Sequence, residues 1–186
     1  MRPPPAALPE IPEPRIGAEG PLDTMSGCNQ RLLRHCATLR RLVLYLGECG
    51  CDGQAQGAIE RLLFFFDRVA PQHHAAEEQE LFPALIESMA GSDAVCLHEI
   101  TAGLALEHRE LQRLWLRLRP ALQDVFVGRT DSLPVREVES FIERCQACVA
   151  REAGDLLPMA SRLLTDDQLE AVAEGMRMRN RQQPPA

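Results

Sequence analysis

Two histidines followed by glutamates at helical spacing make residues 73–83 (HHAAEEQELFP) the segment with the clearest capacity for chemistry. In a helix, an imidazole and a carboxylate four residues apart lie on one face and can bind the same metal ion. His74 and Glu78 form such a pair. A carboxylate that points into a core is costly unless it is paired with a cation or bound to a metal, so an inward-facing pair predicts a partner.

The helical phase of this segment decides which histidine–glutamate pair faces the core. Leu81 and Leu85 follow at the spacing of a core-facing helix stripe. Extending that stripe backwards predicts that His74 and Glu78 point inward. The pair one position earlier would lie about 100° around the helix, and of its members we keep His73 as an additional candidate ligand.

Further polar residues fall at the same height if consecutive helices run antiparallel. Counted from the turn near Ser92, His108 lies sixteen residues onward and His74 eighteen residues back. At 1.5 Å per residue these two side chains agree within about one helical turn, roughly 5 Å. Glu152 and Cys148, on the last long helix, fall at a similar depth. We therefore expect these groups to meet in the core.

The first helix offers two polar residues, and only one has the right height. His74 lies twenty-three residues after the turn near Cys51, and Asn29 lies twenty-two residues before it. His35 lies only sixteen residues before that turn, which places it about 10 Å from the level of the other groups. We interpret Asn29 as the candidate ligand from this helix and His35 as an interfacial histidine.

The rest of the chain supplies helices that can position these groups. Apolar residues recur at helical period through residues 23–178 without strand-like alternation, which predicts an all-α domain. Short links predict an up-down-up-down four-helix bundle, and residues 165–168 form a capping box that opens a short C-terminal fifth helix. Residues 1–22 hold seven of the 14 prolines, so we expect a disordered Pro-rich leader there and a disordered tail at 179–186.

The boundaries of the four long helices follow from capping residues, glycines and prolines, and Pro71 should interrupt the second helix. The expected helices run from Asp23 or Ser26 to the glycines at 47–50, from 54 to 89, from Asp93 onward, and from 132–134 onward.

Composition excludes several classes of function. The net charge of -7 argues against a nucleic-acid partner, because binding phosphates requires a basic surface. No apolar run reaches the length of a membrane span and no secretory h-region is present, so we expect a cytoplasmic protein with no membrane association. The seven cysteines are then reduced thiols, and the helical pattern around Cys145 and Cys148 is not that of a thioredoxin-like site.

Taken together, these motifs resemble the hemerythrin-like family of cation-binding bundles. That family carries a histidine on the first helix, H-x-x-x-E on the second, a histidine on the third and H-x-x-x-E/D on the fourth. The resemblance covers about residues 23–178, and it is carried by residues 73–83, 107–108 and 151–160. Each motif is weak alone and specific in combination.

The resemblance implies two non-haem irons bridged by carboxylates, used for binding or sensing dioxygen or nitric oxide, for iron handling or for redox repair. Transferred position by position, the ligands fall on one pair in the second helix and one residue in each of the next two. They are His74, Glu78, His108 and Glu152. Asn29 and Cys148 stand where the family has histidines, and Leu104 stands where a second third-helix histidine is common.

The replaced histidines leave several metal states open. Two irons require about ten donor atoms, whereas the retained set offers two imidazoles and two carboxylates. A thiolate from Cys148 beside these groups favours zinc or a single softer ion over an oxygen-bridged iron pair, and mononuclear iron is a further open state. The alternative is a metal-free bundle that acts as an interaction or structural protein, for which the sequence names no protein partner. We do not expect an enzyme, because the Glu-x-x-His motifs of di-iron oxidases and the serine–histidine sets of hydrolases are missing.

Overall fold

The computed structural model describes residue 8, residues 20–89 and residues 93–182, and this part of the chain consists of five helices without a strand. The helices are α1 (Pro21–Cys49), α2 (residues 53–88), α3 (Asp93–Phe126), α4 (residues 135–163) and α5 (Asp166–Gln182). The prediction of an all-α bundle with a short fifth helix is confirmed.

Consecutive long helices run antiparallel, as the short links require. Between α1 and α2, His35 contacts Phe65 and Asn29 contacts His73, so the chain numbers run in opposite directions. Between α2 and α3, Asp67 contacts Trp115 and Glu78 contacts His108, so these two helices also run in opposite directions. Helices α1 and α3 each pack against α2 and α4, which encloses one hydrophobic core along the bundle axis.

Two of the long helices are interrupted by π turns, and each π turn ends two residues before a proline. In α2, segments Gly53–Phe64, Ala70–Ala76 and Phe82–Ser88 are joined by π turns Phe65–Val69 and Glu77–Leu81. In α4, segments Val135–Arg151 and Leu157–Leu163 are joined by π turn Glu152–Leu156. The prolines are Pro71, Pro83 and Pro158.

The prolines explain these π turns. A proline inside a helix has no N–H to donate, and its ring clashes with the carbonyl four residues earlier. In each case the residue before the proline donates instead to the carbonyl five residues back, as Phe82 does to Glu77 and Leu157 to Glu152. Each π turn inserts one extra residue and rotates the following segment. The sequence predicted this interruption at Pro71 only.

Helix ends follow the sequence signals. At the start of α5, Thr165 and Gln168 exchange backbone-to-side-chain hydrogen bonds of 3.0 and 3.3 Å, so the predicted capping box is confirmed. Asp52 caps α2 by accepting from the backbone amides of Gln54 and Ala55. The link before it turns at Gly50, whose φ of 68° is one that glycine adopts without strain.

Both ends of the described chain are more structured than the sequence analysis expected. Helix α1 begins at Pro21, two residues inside the predicted leader, because proline is well suited to a first helical turn. Leu8 packs into the core, whereas residues 1–7 and 9–19 lie outside the described residues. Helix α5 continues to Gln182, where only the predicted tail residues 183–186 lie outside the description.

Helix α5 covers the part of α2 that carries the π turn Glu77–Leu81. Arg179 donates one hydrogen bond to Gln79 and forms an ion pair with Glu80 at 2.5 Å. Gly175 lies so close to the Glu80 carboxylate that a Cβ atom there would overlap with it. In the described residues, no helix is both long enough and apolar enough to cross a bilayer.

Candidate metal centre

The candidate centre lies in the bundle core, where α2 and α4 each contribute a glutamate from the first position of a π turn. Glu77 and Glu152 are 0% and 1% exposed. Their backbone carbonyls accept the i→i+5 hydrogen bonds that define the two turns. Two carboxylates with no access to water therefore face each other across the core, which is expensive unless cations lie between them.

Each carboxylate contacts the same two imidazoles. Glu77 Oε1 lies 3.5 Å from His73 Nε2, and Glu77 Oε2 lies 3.5 Å from His108 Nε2. Glu152 Oε2 lies 3.9 Å from His73 Nε2, and Glu152 Oε1 lies 3.2 Å from His108 Nε2. The two histidines are thus linked by two carboxylates, and every carboxylate oxygen faces a ring nitrogen.

Each imidazole has further donor groups beside it, including the buried Cys28 thiol next to His73. Asn29 Oδ1 lies 2.9 Å from His73 Nε2, so the predicted height of Asn29 is confirmed. Cys148 Sγ lies 3.1 Å from Glu152 Oε1, on the side of His108. The side chains therefore form two adjacent groups of ligand atoms, one around His73 and one around His108, and the group around His108 includes the sulfur of Cys148.

The hydrogen bonding of these buried groups is incomplete. Both oxygens of Glu77, Glu152 Oε2 and Asn29 Nδ2 have no hydrogen-bond partner. Buried polar atoms are nearly always satisfied, so unpartnered carboxylate oxygens that face imidazole nitrogens fit bound cations. The donor set of imidazole, carboxylate and one thiol suits iron or zinc.

The pKa values show how strongly the groups interact. Burial together with the charge of Glu152 raises the pKa of Glu77 to about 7, against the attraction of His73. Burial disfavours charge on Glu152 too, but hydrogen bonds to His108 and His73 hold the pKa of this carboxyl well below its ordinary value. Burial also disfavours charge on the histidines, but the carboxylates outweigh it and raise the pKa of both.

The cysteine of the centre is a thiol until a cation displaces its proton. Burial, followed by the charge of Glu152, raises the pKa of Cys148 far above its ordinary value. A metal ion binds the thiolate and releases the proton, so metal binding at the His108 group is expected to depend on pH.

The prediction that His74 and Glu78 point inward was wrong. The buried pair is His73 and Glu77, and the side chain of Glu78 is 33% exposed. The apolar stripe ending at Leu81 was extended backwards with α-helical spacing, but the π turn Glu77–Leu81 adds a residue there. The residue that shares the inward face with Leu81 is consequently Glu77.

His74 and Glu78 instead surround the ring of His108 from outside. The rings of His74 and His108 are stacked, with centroids 4.0 Å apart and planes 5° from parallel. His108 Nδ1 lies 2.9 Å from Glu78 Oε1, to which it can donate. This hydrogen bond leaves Nε2 of His108 facing the two buried carboxylates, the usual role of a carboxylate behind a metal-binding histidine.

An internal repeat in the sequence would have identified the inward pair. One spacing occurs twice in the chain, first in Glu77, Leu81 and Pro83 and again in Glu152, Leu156 and Pro158. Aligning the two segments by their prolines pairs Glu77 with Glu152 and His73 with Cys148. The four-residue spacing alone could not separate the two histidine–glutamate pairs, whereas the distance to proline does.

Of the remaining histidines and cysteines, Cys28 is a buried free thiol that contacts the ring of His73. His35 is 6% exposed and stacks on Phe65 with ring centroids 4.0 Å apart, so its interpretation as an interfacial histidine is confirmed. His98 is exposed. Leu104 is fully buried in the core. Cys36 and Cys145 are buried free thiols that contact each other between α1 and α4.

A cavity of about 260 Å³ adjoins the His108 side of the centre and opens between α2 and α3. His74, Glu78 and His108 line one end of it, and Phe66 and Trp115 line the other. A smaller cavity of about 160 Å³ reaches His73 from the opposite side. The ligand groups are therefore buried but not sealed.

Comparison with known proteins agrees with this geometry. The hemerythrin HHE cation-binding domain model matches residues 20–160. A protein of Haemophilus influenzae described only as uncharacterized is 26% identical over 159 residues, which cover 86% of this chain and 89% of that protein.

Proposed function

The chain belongs to the hemerythrin HHE cation-binding domain family, and from this we propose that it binds non-haem iron in the bundle core and uses it to bind dioxygen or nitric oxide. The observation that carries the proposal is the double link between His73 and His108 through the oxygens of Glu77 and Glu152. With one imidazole nitrogen and two carboxylate oxygens at each position, this arrangement would give each of two neighbouring cations three donor atoms.

We propose two iron positions that share both carboxylates. His73 and Asn29 would hold the first, and His108 and Cys148 the second. The unpartnered oxygens of Glu77 support this arrangement, because a metal-free core would leave both of them buried without a hydrogen bond. The shared carboxylates partly compensate for the two histidines that Asn29 and Cys148 replace.

Bound iron would supply the electrons and open coordination positions on which a diatomic ligand can bind. The residues of the chain would do the rest. Glu78 would fix the ring of His108 by accepting from Nδ1, and His74 would shield that ring by stacking on it. The aromatic end of the cavity beside His108 would admit a small uncharged ligand.

We propose a binding or sensing role and not an enzymatic one. Around the centre, the described residues provide metal ligands and hydrogen bonds to those ligands, which suits reversible binding. We also propose a cytoplasmic location, in which the thiols of Cys36, Cys145 and Cys148 would stay reduced.

A second candidate is one softer ion, such as zinc, at the group formed by His108, Cys148 and Glu152. The observation in its favour is the thiol, whose sulfur lies within ligand distance of the other two groups. In that case His73 and Glu77 would remain an ion pair with no metal. A bundle that binds no metal at all remains the structural alternative.

Metal analysis of anaerobically reconstituted protein separates these candidates. We expect about two irons per chain and near-ultraviolet absorption that appears on exposure to air, since oxygen-bridged iron pairs absorb there. Glu77→Gln should abolish this absorption, and Glu87→Gln, at an exposed position of the same helix, should retain it. One zinc per chain would favour the second candidate, and metal that a weak chelator removes at once would favour the metal-free bundle.

A further inference from the structure

The cavity between α2 and α3 is larger than a diatomic ligand needs. Its volume is about 260 Å³, whereas a water-sized molecule occupies roughly 30 Å³ and an apolar cavity of about 150 Å³ binds benzene. The space therefore matches a single aromatic ring with a small substituent. It lies beside the metal centre but contains none of the buried carboxylates.

The inner end of the cavity is built from aromatic side chains. Phe66, Trp115 and Phe141 all line it, and their ring centroids lie 4.9 to 5.7 Å from one another at tilted or perpendicular angles. These rings are 2% to 5% exposed, so they are held in place by the core. Such walls favour another ring, which can stack or meet them edge to face.

The opposite end offers a hydrogen-bond acceptor. Residues 108 and 115 of α3 both line the cavity, so it extends roughly 10 Å along the helix axis. At the outer end, Glu78 uses Oε1 for His108 Nδ1, which leaves its second carboxylate oxygen available. A ring at the aromatic end can therefore carry a hydroxyl that donates to the carboxylate of Glu78.

We propose that this cavity is a binding site for a neutral single-ring phenol. The ring lies among Phe66, Trp115 and Phe141, and the hydroxyl donates to the Glu78 carboxylate. Because Glu78 also holds His108, a bound phenol is coupled to the metal centre through one side chain. The site itself needs no particular metal.

Trp115 is the one tryptophan of the chain and lies in the cavity wall, so its fluorescence reports directly on occupancy. The full-length protein is titrated with phenol, with excitation at the red edge of the tryptophan band where phenol does not absorb. We expect a saturable change in Trp115 emission. Toluene, which has the ring without the hydroxyl, should bind roughly tenfold more weakly or worse, because a hydrogen bond to a charged group is lost.

Two alanine variants locate the site. Ala75→Leu places a larger side chain into the cavity wall and should abolish the fluorescence response. Ala147→Leu makes the same change on an exposed face of α4 and should leave it unchanged. Circular dichroism establishes that both variants fold, and the phenol–toluene comparison on the unmodified protein needs no variant.

The titration is repeated after the metal content has been measured and after chelation. Saturable phenol binding to metal-free protein supports the site even if the iron proposal fails. Iron binding without a phenol response overturns the site and leaves the iron proposal intact. Equal affinity for phenol and toluene, or a response that survives Ala75→Leu, also overturns it.

Discussion

Replacing Glu77 by glutamine should make the metal-free protein more stable than the original. In the presence of metal, the variant should be less stable than the original. Glu77 is 0% exposed and neither of its oxygens has a hydrogen-bond partner. Burial raises its pKa from 4.5 to about 7. At 1.36 kcal/mol per pH unit, the ionised carboxylate costs the fold up to about 3 kcal/mol.

The sign of the pH dependence follows from the direction of that shift. A carboxyl whose pKa is higher in the folded than in the unfolded state stabilises the fold below the unfolded value and loses this contribution as the pH rises to the folded one. The cost of Glu77 is therefore small near pH 4.5 and complete above about pH 7. Glu77→Gln should raise the free energy of unfolding at pH 8 and have little effect at pH 4.5.

Added metal should reverse the order of the two proteins. A cation at a hundred times its dissociation constant stabilises the folded state by about 2.7 kcal/mol, and Glu77→Gln should lose most of this gain. Glu87→Gln is the matched control, because Glu87 is exposed on the same helix and away from the centre, and it should keep the metal-induced gain.

Urea unfolding of the three proteins at pH 4.5 and pH 8, after chelation and with anaerobic ferrous iron, measures each of these differences. The reasoning is refuted if metal-free Glu77→Gln is less stable than the original at pH 8. It is equally refuted if Glu87→Gln loses the metal response and Glu77→Gln retains it.

Three further predictions concern other parts of the structure. Burial together with the nearby arginines lowers the pKa of His35 to about 4, so the contribution of the neutral ring to stability is lost as the pH falls from about 6.5 towards 4. His35→Phe keeps the stack on Phe65 and should remove up to about 3 kcal/mol of this pH dependence in urea unfolding. An unchanged pH dependence of the unfolding free energy would contradict the prediction. Pro83→Ala should let the preceding π turn revert to α-helical spacing and rotate Glu77 away from the centre. The number of metal ions bound per chain should then fall, while the helix content measured by circular dichroism should not. Full metal binding by this variant would contradict the role of Pro83 in the turn. Cobalt added to the protein should give near-ultraviolet thiolate absorption that Cys148→Ser removes, and its persistence in the variant would exclude Cys148 as a ligand.

The sequence alone predicted the height along the bundle axis at which the polar groups meet. A fixed rise of 1.5 Å per residue and short links between antiparallel helices place Asn29, His108 and Glu152 at one height, and all three contact the centre. The same reasoning excluded His35, which lies against Phe65 instead. Height depends only on residue counts from the turns, so it is little affected by local irregularity.

The rotation of α2 could not be obtained in the same way. Which side chain faces inward depends on the number of residues per turn, and the π turn Glu77–Leu81 changes that number. The turn arises from competition between a missing amide hydrogen bond at Pro83 and the packing of the helix on both sides. The proline was visible in the sequence, but only the repeat around Pro158 showed that its distance from the glutamate has structural meaning.

Anomalous diffraction at the iron edge, from crystals of the anaerobically reconstituted protein, would show directly whether Glu77 and Glu152 share two cations. We predict two peaks about 3.5 to 4 Å apart, one beside His73 and one beside His108, each in contact with both carboxylates. A single peak between His74 and Glu78, or no peak between the two buried carboxylates, would contradict the shared centre.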